Sequence, residues 1–274
     1  MRHIGICRFS YPAFGGFKRM HETIAEREAY LFDDTRMDLR FRHFEALTLP
    51  SIAAQTDPDF TFLIVIGENM PAPWLERLRD ICAPVPQVKI RAMRPMRHRR
   101  AMQKAIQAEL GANETDSIQW RLDDDDAVGL DFVERTRAIV RDTATLCTDW
   151  KNLAMEFSRG FSVALSQDGI IAEDVKTPFW ACGLAVLFRP GDPATVMNYG
   201  HHKLHHDMPM LIQPDIPMYI RAVHGDNDSS ARIKPGLLEP LSDDRRALFK
   251  ARFNVDEAQV RRVFASPSAP RGRV

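Results

Sequence analysis

A chain of 274 residues is long enough for one large α/β domain or two small ones, and in either form it can bury most of its apolar surface. Its 37 basic residues are balanced by 37 acidic ones, so net charge draws the chain neither to nucleic acid nor to an anionic membrane surface. Cys7, Cys82, Cys147 and Cys182 form no Cys-x-x-Cys pair, which excludes a zinc ribbon or a thioredoxin-like motif and reads as reduced core thiols.

Residues 3–9 are short and apolar and run into Ser-Tyr-Pro, which predicts a first buried strand followed by a loop. Residues 10–37 carry no clear period and read as irregular. Asp38 is placed to cap a helix whose apolar residues Leu39, Phe41, Phe44, Leu47 and Leu49 follow at near-helical spacing, ending near Pro50 or continuing to Gln55. Asp57-Pro58-Asp59 signals a turn, and the β-branched and aromatic run 60–66 predicts a second buried strand stopped by Gly67. A short helix over 73–81, a third strand over 87–93 and a helix over 98–110 closed by Gly111 come next. A fourth strand over 117–122 and a helix over 130–141 complete an alternating half, which implies a mostly parallel sheet covered on both faces, with ligands at the carboxyl ends of the strands. Beyond residue 150 the pattern becomes α+β, with strands over 152–165 and 183–188, an aromatic loop over 178–182 and a strand-like stretch over 218–223. Ser242 and Asp256 are candidate caps in a charged helical region over 237–265, and residues 266–274 have the composition of a disordered tail. No apolar run along this path approaches the ~20 residues of a membrane helix, and Met1-Arg2-His3 leads into a strand and not a signal-peptide core, so the expected compartment is the cytoplasm, with peripheral membrane contact left open.

The most informative stretch is Asp123-Asp124-Asp125-Asp126, directly after the fourth strand. Adjacent carboxylates repel and raise one another's pKa, so the run calls for a cation or for water. Hard oxygen donors suit Mg²⁺, Mn²⁺ or Ca²⁺, and an octahedral ion that keeps waters takes only one or two of them plus phosphate. A solvated acidic turn is the plain alternative.

With these motifs in view, the chain resembles a GT-A glycosyltransferase, an α/β fold with a Rossmann-like nucleotide-sugar-binding mixed sheet flanked by helices. Arg8-Phe9-Ser10, Leu49-Pro50-Ser51, Gln55 to Phe60, Arg121 to Asp126 and His224 to Ser229 are together similar to a bacterial family described as rhamnosyltransferases. The resemblance implies one catalytic domain over 1–236, with a nucleotide-binding half (1–126) and an acceptor-binding half (127–236). It implies transfer of a sugar, rhamnose or another deoxyhexose, from a nucleotide-diphosphate donor to a saccharide or lipid-linked acceptor. Asp123 and Asp125 stand in the register of the metal-binding Asp-x-Asp, with Asp126 as second choice, Mn²⁺ or Mg²⁺ as the ion, and His224 as a further ligand. Asp123 also faces the nucleotide, together with Arg8, Ser10, Arg99, Arg100 and Asn227. Asp207 is in position for the base of an inverting transfer, which removes the proton of the acceptor hydroxyl; a retaining enzyme needs no such base.

Rival readings rest on other residues. If 201–206 is helical, His201/His205 and His202/His206 are i,i+4 pairs of zinc-site spacing, and a metallohydrolase joining them to the aspartates is an alternative enzyme. Trp180 and Phe179 are candidates to stack on a sugar face. The segment Phe14 to Arg19 only faintly resembles the phosphate loop of nucleotidyltransferases, and an EF-hand is excluded by Ala127 and Val128 at ligand and glycine positions. A non-catalytic carbohydrate- or nucleotide-binding relative is the last alternative.

Overall fold

The computed structural model describes residues 1–15, 19, 21–145, 149–225 and 237–266. Strand β1 (Arg2–Arg8) is buried through its middle, and a long excursion follows it. Helix α1 (Ile24–Leu31) occupies the stretch expected to be irregular. Thr23 and Glu26 form a capping box that satisfies both ends of its first turn, a signal present in the sequence. Helix α2 (Asp34–His43) starts five residues earlier than Asp38 predicts, because Asp33 is its cap and accepts from the Arg36 amide at 3.1 Å. Asp38 is instead buried inside the helix and accepts from Arg42 Nε at 2.7 Å. A π-helical turn over Phe44–Thr48 leads into α3 (Leu49–Ala53), which tolerates Pro50 because a proline in a first turn lacks only a donor that has no helical partner.

Strand β2 (Thr61–Gly67), helix α4 (Ala72–Cys82), strand β3 (Val88–Met93) and helix α5 (His98–Leu110) follow as the periodicity predicts, with Gly111 in the left-handed region at φ 63° closing α5. Strand β4 (Ser117–Arg121), the short β5 (Asp126–Val128) and helix α6 (Phe132–Asp142) complete the first half. Strands β1, β2, β3 and β4 are parallel, in the order β4-β1-β2-β3.

The second half leaves the parallel pattern, in keeping with its α+β reading. Strand β6 (Asn152–Ser166) turns back through Asp168-Gly169 into β7 (Gly169–Lys176), a hairpin the sequence reading did not register although Asp-Gly is a strong turn signal. Strand β8 (Leu184–Phe188) runs antiparallel to both β4 and β6 and joins the two halves into one mixed sheet. After a short α7 (Leu204–Asp207), strand β9 (Met210–Ala222) begins eight residues before the predicted 218. It carries Pro214 and Pro217, and its pairing with β6 shifts register around Arg159, which is why its first half does not read as a strand.

Strand β10 (Glu239–Pro240) adds to β7, and helices α8 (Asp243–Phe253) and α9 (Glu257–Ala265) start at the expected caps Ser242 and Asp256. Phe249, Phe253 and Val260 of these helices share a buried cluster with Phe161 and Val163 of β6 and Ala172 of β7. The tail over 267–274 and Cys147 lie outside the described residues. No described helix is long and apolar enough to cross a membrane. The whole is a mixed sheet flanked by helices.

The centre of the sheet is packed without slack. A Cβ added to Gly5 on β1 would stand 2.5 Å from Trp120 and 2.7 Å from Phe62, both fully buried rings. Gly5→Ala is expected to lower the unfolding free energy by about 2–3 kcal/mol, the upper range for overpacking a rigid core, as read from urea denaturation. A loss below about 0.5 kcal/mol would show that the rings can move aside.

Candidate metal and nucleotide-sugar site

The aspartates occupy a tight turn that is held at both ends. Leu122 donates its amide to the Ile6 carbonyl at 3.1 Å, extending the β1–β4 ladder by one bond, and Asp126 opens β5 opposite Arg221 of β9. Between them the Asp126 amide donates to the Asp123 carbonyl at 3.2 Å, closing a β-turn with Asp124 and Asp125 at its centre. Side chains i and i+3 of such a turn are brought together while the central two project elsewhere. Asp123 and Asp126 line one cavity of about 230 Å³, whereas Asp124 and Asp125 are not among its lining residues.

The two central carboxylates meet Arg40 of α2. Its guanidinium pairs with Asp124 Oδ1 at 2.9 Å and donates to Asp125 Oδ2 at 3.0 Å, with Asp124 only 1% and Asp125 4% exposed. Burial pushes the Asp124 carboxyl up to about 6 against the pull of Arg40. Burial also acts on Asp125, but Arg40 and the His224 hydrogen bond outweigh it and hold this carboxyl well below the usual range. Asp126 is pushed well above that range by burial and by the charges of Asp125 and Asp123. Thr48, in the π-helical turn, donates its hydroxyl to the Asp126 carbonyl at 2.7 Å and fixes the far side of the turn.

One carboxylate oxygen from each of Asp123, Asp125 and Asp126 lies within 4.8 Å of the others, a cluster of hard donors that suits Mg²⁺ or Mn²⁺. Asp125 joins it with Oδ2 already engaged. His224 does not join this group. Its Nε2 lies 2.8 Å from Asp125 Oδ2, so it buttresses a carboxylate, and its ring packs 4.4 Å from the buried His43.

The other residues singled out from the sequence scatter. Arg8 lines the cavity at the end of β1. Ser10 is buried behind it at φ 46°, and its hydroxyl accepts from Arg36 at 3.0 Å. Arg99 and Arg100 are exposed at the start of α5 and are not lining residues; the residue of that turn that does line the cavity is His98. Asn227 lies outside the described residues. Asp207 is exposed at the end of α7 and does not line the cavity.

The histidine cluster is not one helix. His201–Lys203 is a 3₁₀ turn and Leu204–Asp207 a single α turn, so the zinc spacing fails, and among the described residues none of these histidines belongs to a metal-competent group. The face of Trp180 is taken by Arg221 at 4.7 Å, and Phe179 packs on His205 at 4.8 Å. Sequence reasoning missed Arg40, Arg121, His98 and Cys182. Nothing in a single sequence pairs Arg40 with residues about 85 positions away, but Arg121 ends the strand that leads through Leu122 into the acidic run.

The sequence pattern of the family described as "Putative rhamnosyl transferase" matches residues 2–235. Among solved structures, S. aureus TarS 1–349 in complex with UDP-GlcNAc is similar with a TM-score of 0.47 at 10% identity, covering 85% of this chain and 62% of that one. Another structure of S. aureus TarS 1–349 gives 0.45 at 9% identity, covering 81% of this chain and 60% of that one. A longer S. aureus TarS chain gives 0.46 at 10% identity over 81% of this chain and 37% of its own length, so the chain spans less than two thirds of each of these structures. No curated protein matches the sequence.

Removing the guanidinium should leave two buried carboxylates without their cation. Arg40→Met is expected to cost about 3–5 kcal/mol of stability at neutral pH, the range for breaking one side of a buried ion pair. Adding Asp124→Asn should return part of that loss in a double-mutant cycle. Chemical denaturation of the three variants tests it, and a single-variant cost under about 1 kcal/mol would remove the pairing from the account of the turn.

Proposed function

The chain belongs to the family described as "Putative rhamnosyl transferase", and from that premise we propose that it transfers a sugar from a nucleotide-diphosphate donor to a saccharide or lipid-linked acceptor, inverting the anomeric centre. The observation that carries the reading is the turn that brings the carboxylates of Asp123, Asp125 and Asp126 together at the carboxyl end of β4, with Asp123 and Asp126 on the cavity wall. That is where an α/β sheet binds its ligands. Rhamnose or another deoxyhexose rests on the family's description alone.

Asp123, exposed at the cavity, and Asp126 are the residues that would hold Mn²⁺ or Mg²⁺, with Asp125 completing the set from behind. When bound, the ion supplies Lewis-acid neutralisation of the charge that grows on the departing diphosphate. Arg40 and His224 keep Asp125 ionised and fixed in orientation, so the cluster is arranged before any ligand arrives. Asp207 is assigned the acceptor side. It closes the α turn that follows His201 on the cavity wall, and its exposed carboxylate is open to an acceptor hydroxyl, whose proton it would take as the glycosidic bond to the donor breaks. The metallohydrolase reading has no comparable support, since the 201–206 histidines do not gather with the aspartates.

Calorimetric titration with UDP, dTDP and GDP, each with Mn²⁺ and with chelator, tests the donor side. One diphosphate should bind at least tenfold more tightly with Mn²⁺, and Asp123→Ala should abolish that gain without unfolding the protein. Asp125→Ala is the poorer probe because it also removes one of the two carboxylates that Arg40 pairs with. If none of the three nucleotides responds to the cation, the transferase reading falls. Asp207→Asn is expected to keep donor binding within twofold and to slow transfer by about 10²–10⁴-fold, the usual contribution of a general base; a fully active variant would move the base elsewhere.

A further inference from the structure

The aspartates account for only one part of the cavity wall. Arg8 at the end of β1, Arg121 at the end of β4, His98 at the first turn of α5 and His201 on the 3₁₀ turn line the same space. The topology assembles them: β1 and β4 are parallel neighbours with Ile6 opposite Arg121, so two strands deliver their terminal arginines to one end of the sheet.

These groups share one field. Burial lowers the His98 pKa to about 3, with Arg8, Arg121 and Arg99 adding to the effect. Burial likewise lowers His201 to about 4, helped by Arg121, His202, Arg221 and Arg99. Arg121, half-buried at the end of β4, stands in the same space. Guanidinium groups nevertheless stay charged, while a neutral imidazole still offers one N–H donor. The wall therefore carries two permanent positive charges and two neutral imidazoles beside the carboxylates of Asp123 and Asp126. Those carboxylates offset part of the charge, and the planar fork of arginine matches phosphate oxygens as it matches carboxylates, so the guanidinium groups offer a phosphate the charge-assisted contacts that the acidic side of the wall cannot.

We propose that Arg121, with Arg8, His98 and His201, forms a direct anion site for the donor's diphosphate, acting beside the aspartates and not through a cation. The proposal rests on the nucleotide-sugar reading for the identity of its ligand, but its chemistry needs only a pyrophosphate group. The guanidinium groups would then share in neutralising the charge that grows on the leaving group. Diphosphate binding should weaken without metal and still persist.

Inorganic pyrophosphate and UDP, titrated calorimetrically with Mn²⁺ and with EDTA into the full chain and its variants, decide the matter. The unaltered protein should bind pyrophosphate in EDTA. Arg121→Gln should weaken that binding at least tenfold, about 1.4 kcal/mol, both with and without Mn²⁺, and Arg121→Lys should recover part of it. Asp123→Ala should lose the gain from Mn²⁺ yet bind pyrophosphate in EDTA at least as well as the parent, because a repelling carboxylate is gone. Arg8→Gln provides a second, independent variant should Arg121→Gln not fold, and the same tenfold loss is expected of it. No pyrophosphate binding in EDTA by the parent, or unchanged affinity in the arginine-to-glutamine variants, overturns the proposal. If Mn²⁺ strengthens neither ligand while pyrophosphate still binds through Arg121, the cation reading fails and the anion site stands.

Discussion

Arg40 between Asp124 and Asp125 is the interaction on which the rest of the site depends. A run of four carboxylates can close a turn at the end of a central strand only if the two that point inward are paired, and one guanidinium reaches both at 2.9 and 3.0 Å. The long excursion between β1 and β2 places that guanidinium and much of the support around it. Besides Arg40 on α2, it supplies Thr48 to the Asp126 carbonyl, and just after α3 it supplies Gln55, whose side chain donates to the Gly129 carbonyl at 2.9 Å and accepts from the Val133 amide at 3.2 Å. The α1–α3 segment is thus the bed of the aspartate turn, and the turn's geometry is set before a ligand enters.

A second layer of support comes from residues beyond the family match, which ends at residue 235. Arg42, one turn below the buried faces of α2, donates to the carbonyls of Val263, Phe264 and Ser266 at 2.6, 2.7 and 2.8 Å, which cap the end of α9. Phe264 then packs edge-on against His43, and His43 packs against His224, which holds Asp125. Burial and the neighbouring His224 lower the His43 pKa to about 4, so its ring stays neutral at physiological pH and adds no charge beside the histidine that supports the carboxylate. The C-terminal helices therefore reach the acidic turn through a chain of ring contacts without lining the cavity.

How much of this was legible in the sequence depends on whether the determining contact is local. The parallel half was readable because β2, β3 and α5 announce themselves by period and composition. Helix α1 and the β6–β7 hairpin were also written in local code, as Thr23 with Glu26 and as Asp168 with Gly169, and went unread because attention to apolar period passes over caps and turns. The start of β9 was hidden by Pro214 and Pro217, which its irregular pairing with β6 accommodates. The Arg40 pairing and the meeting of Arg8 with Arg121 are of another kind, products of strand order and of a helix inserted 85 residues upstream, and no local pattern encodes them.

The acidic run shows the difference most sharply. Read as a motif, Asp-x-Asp selects alternate residues and points to Asp123 and Asp125. Read as a turn, with the Asp126 amide on the Asp123 carbonyl, the same four residues divide into an outer pair and an inner pair. The outer pair lines the cavity; the inner pair is anchored on Arg40. Four aspartates then serve two purposes that a single Asp-x-Asp could not separate. Asp123 and Asp126 present carboxylates to the cavity, and Asp124 tethers the turn to α2. Asp125 belongs to both sets, because it is held by Arg40 and His224 and still brings a carboxylate oxygen into the cluster. A lone alternating pair would offer ligands without the tether, and its register at the strand end would rest on the ladder bonds of Leu122 and Asp126 alone.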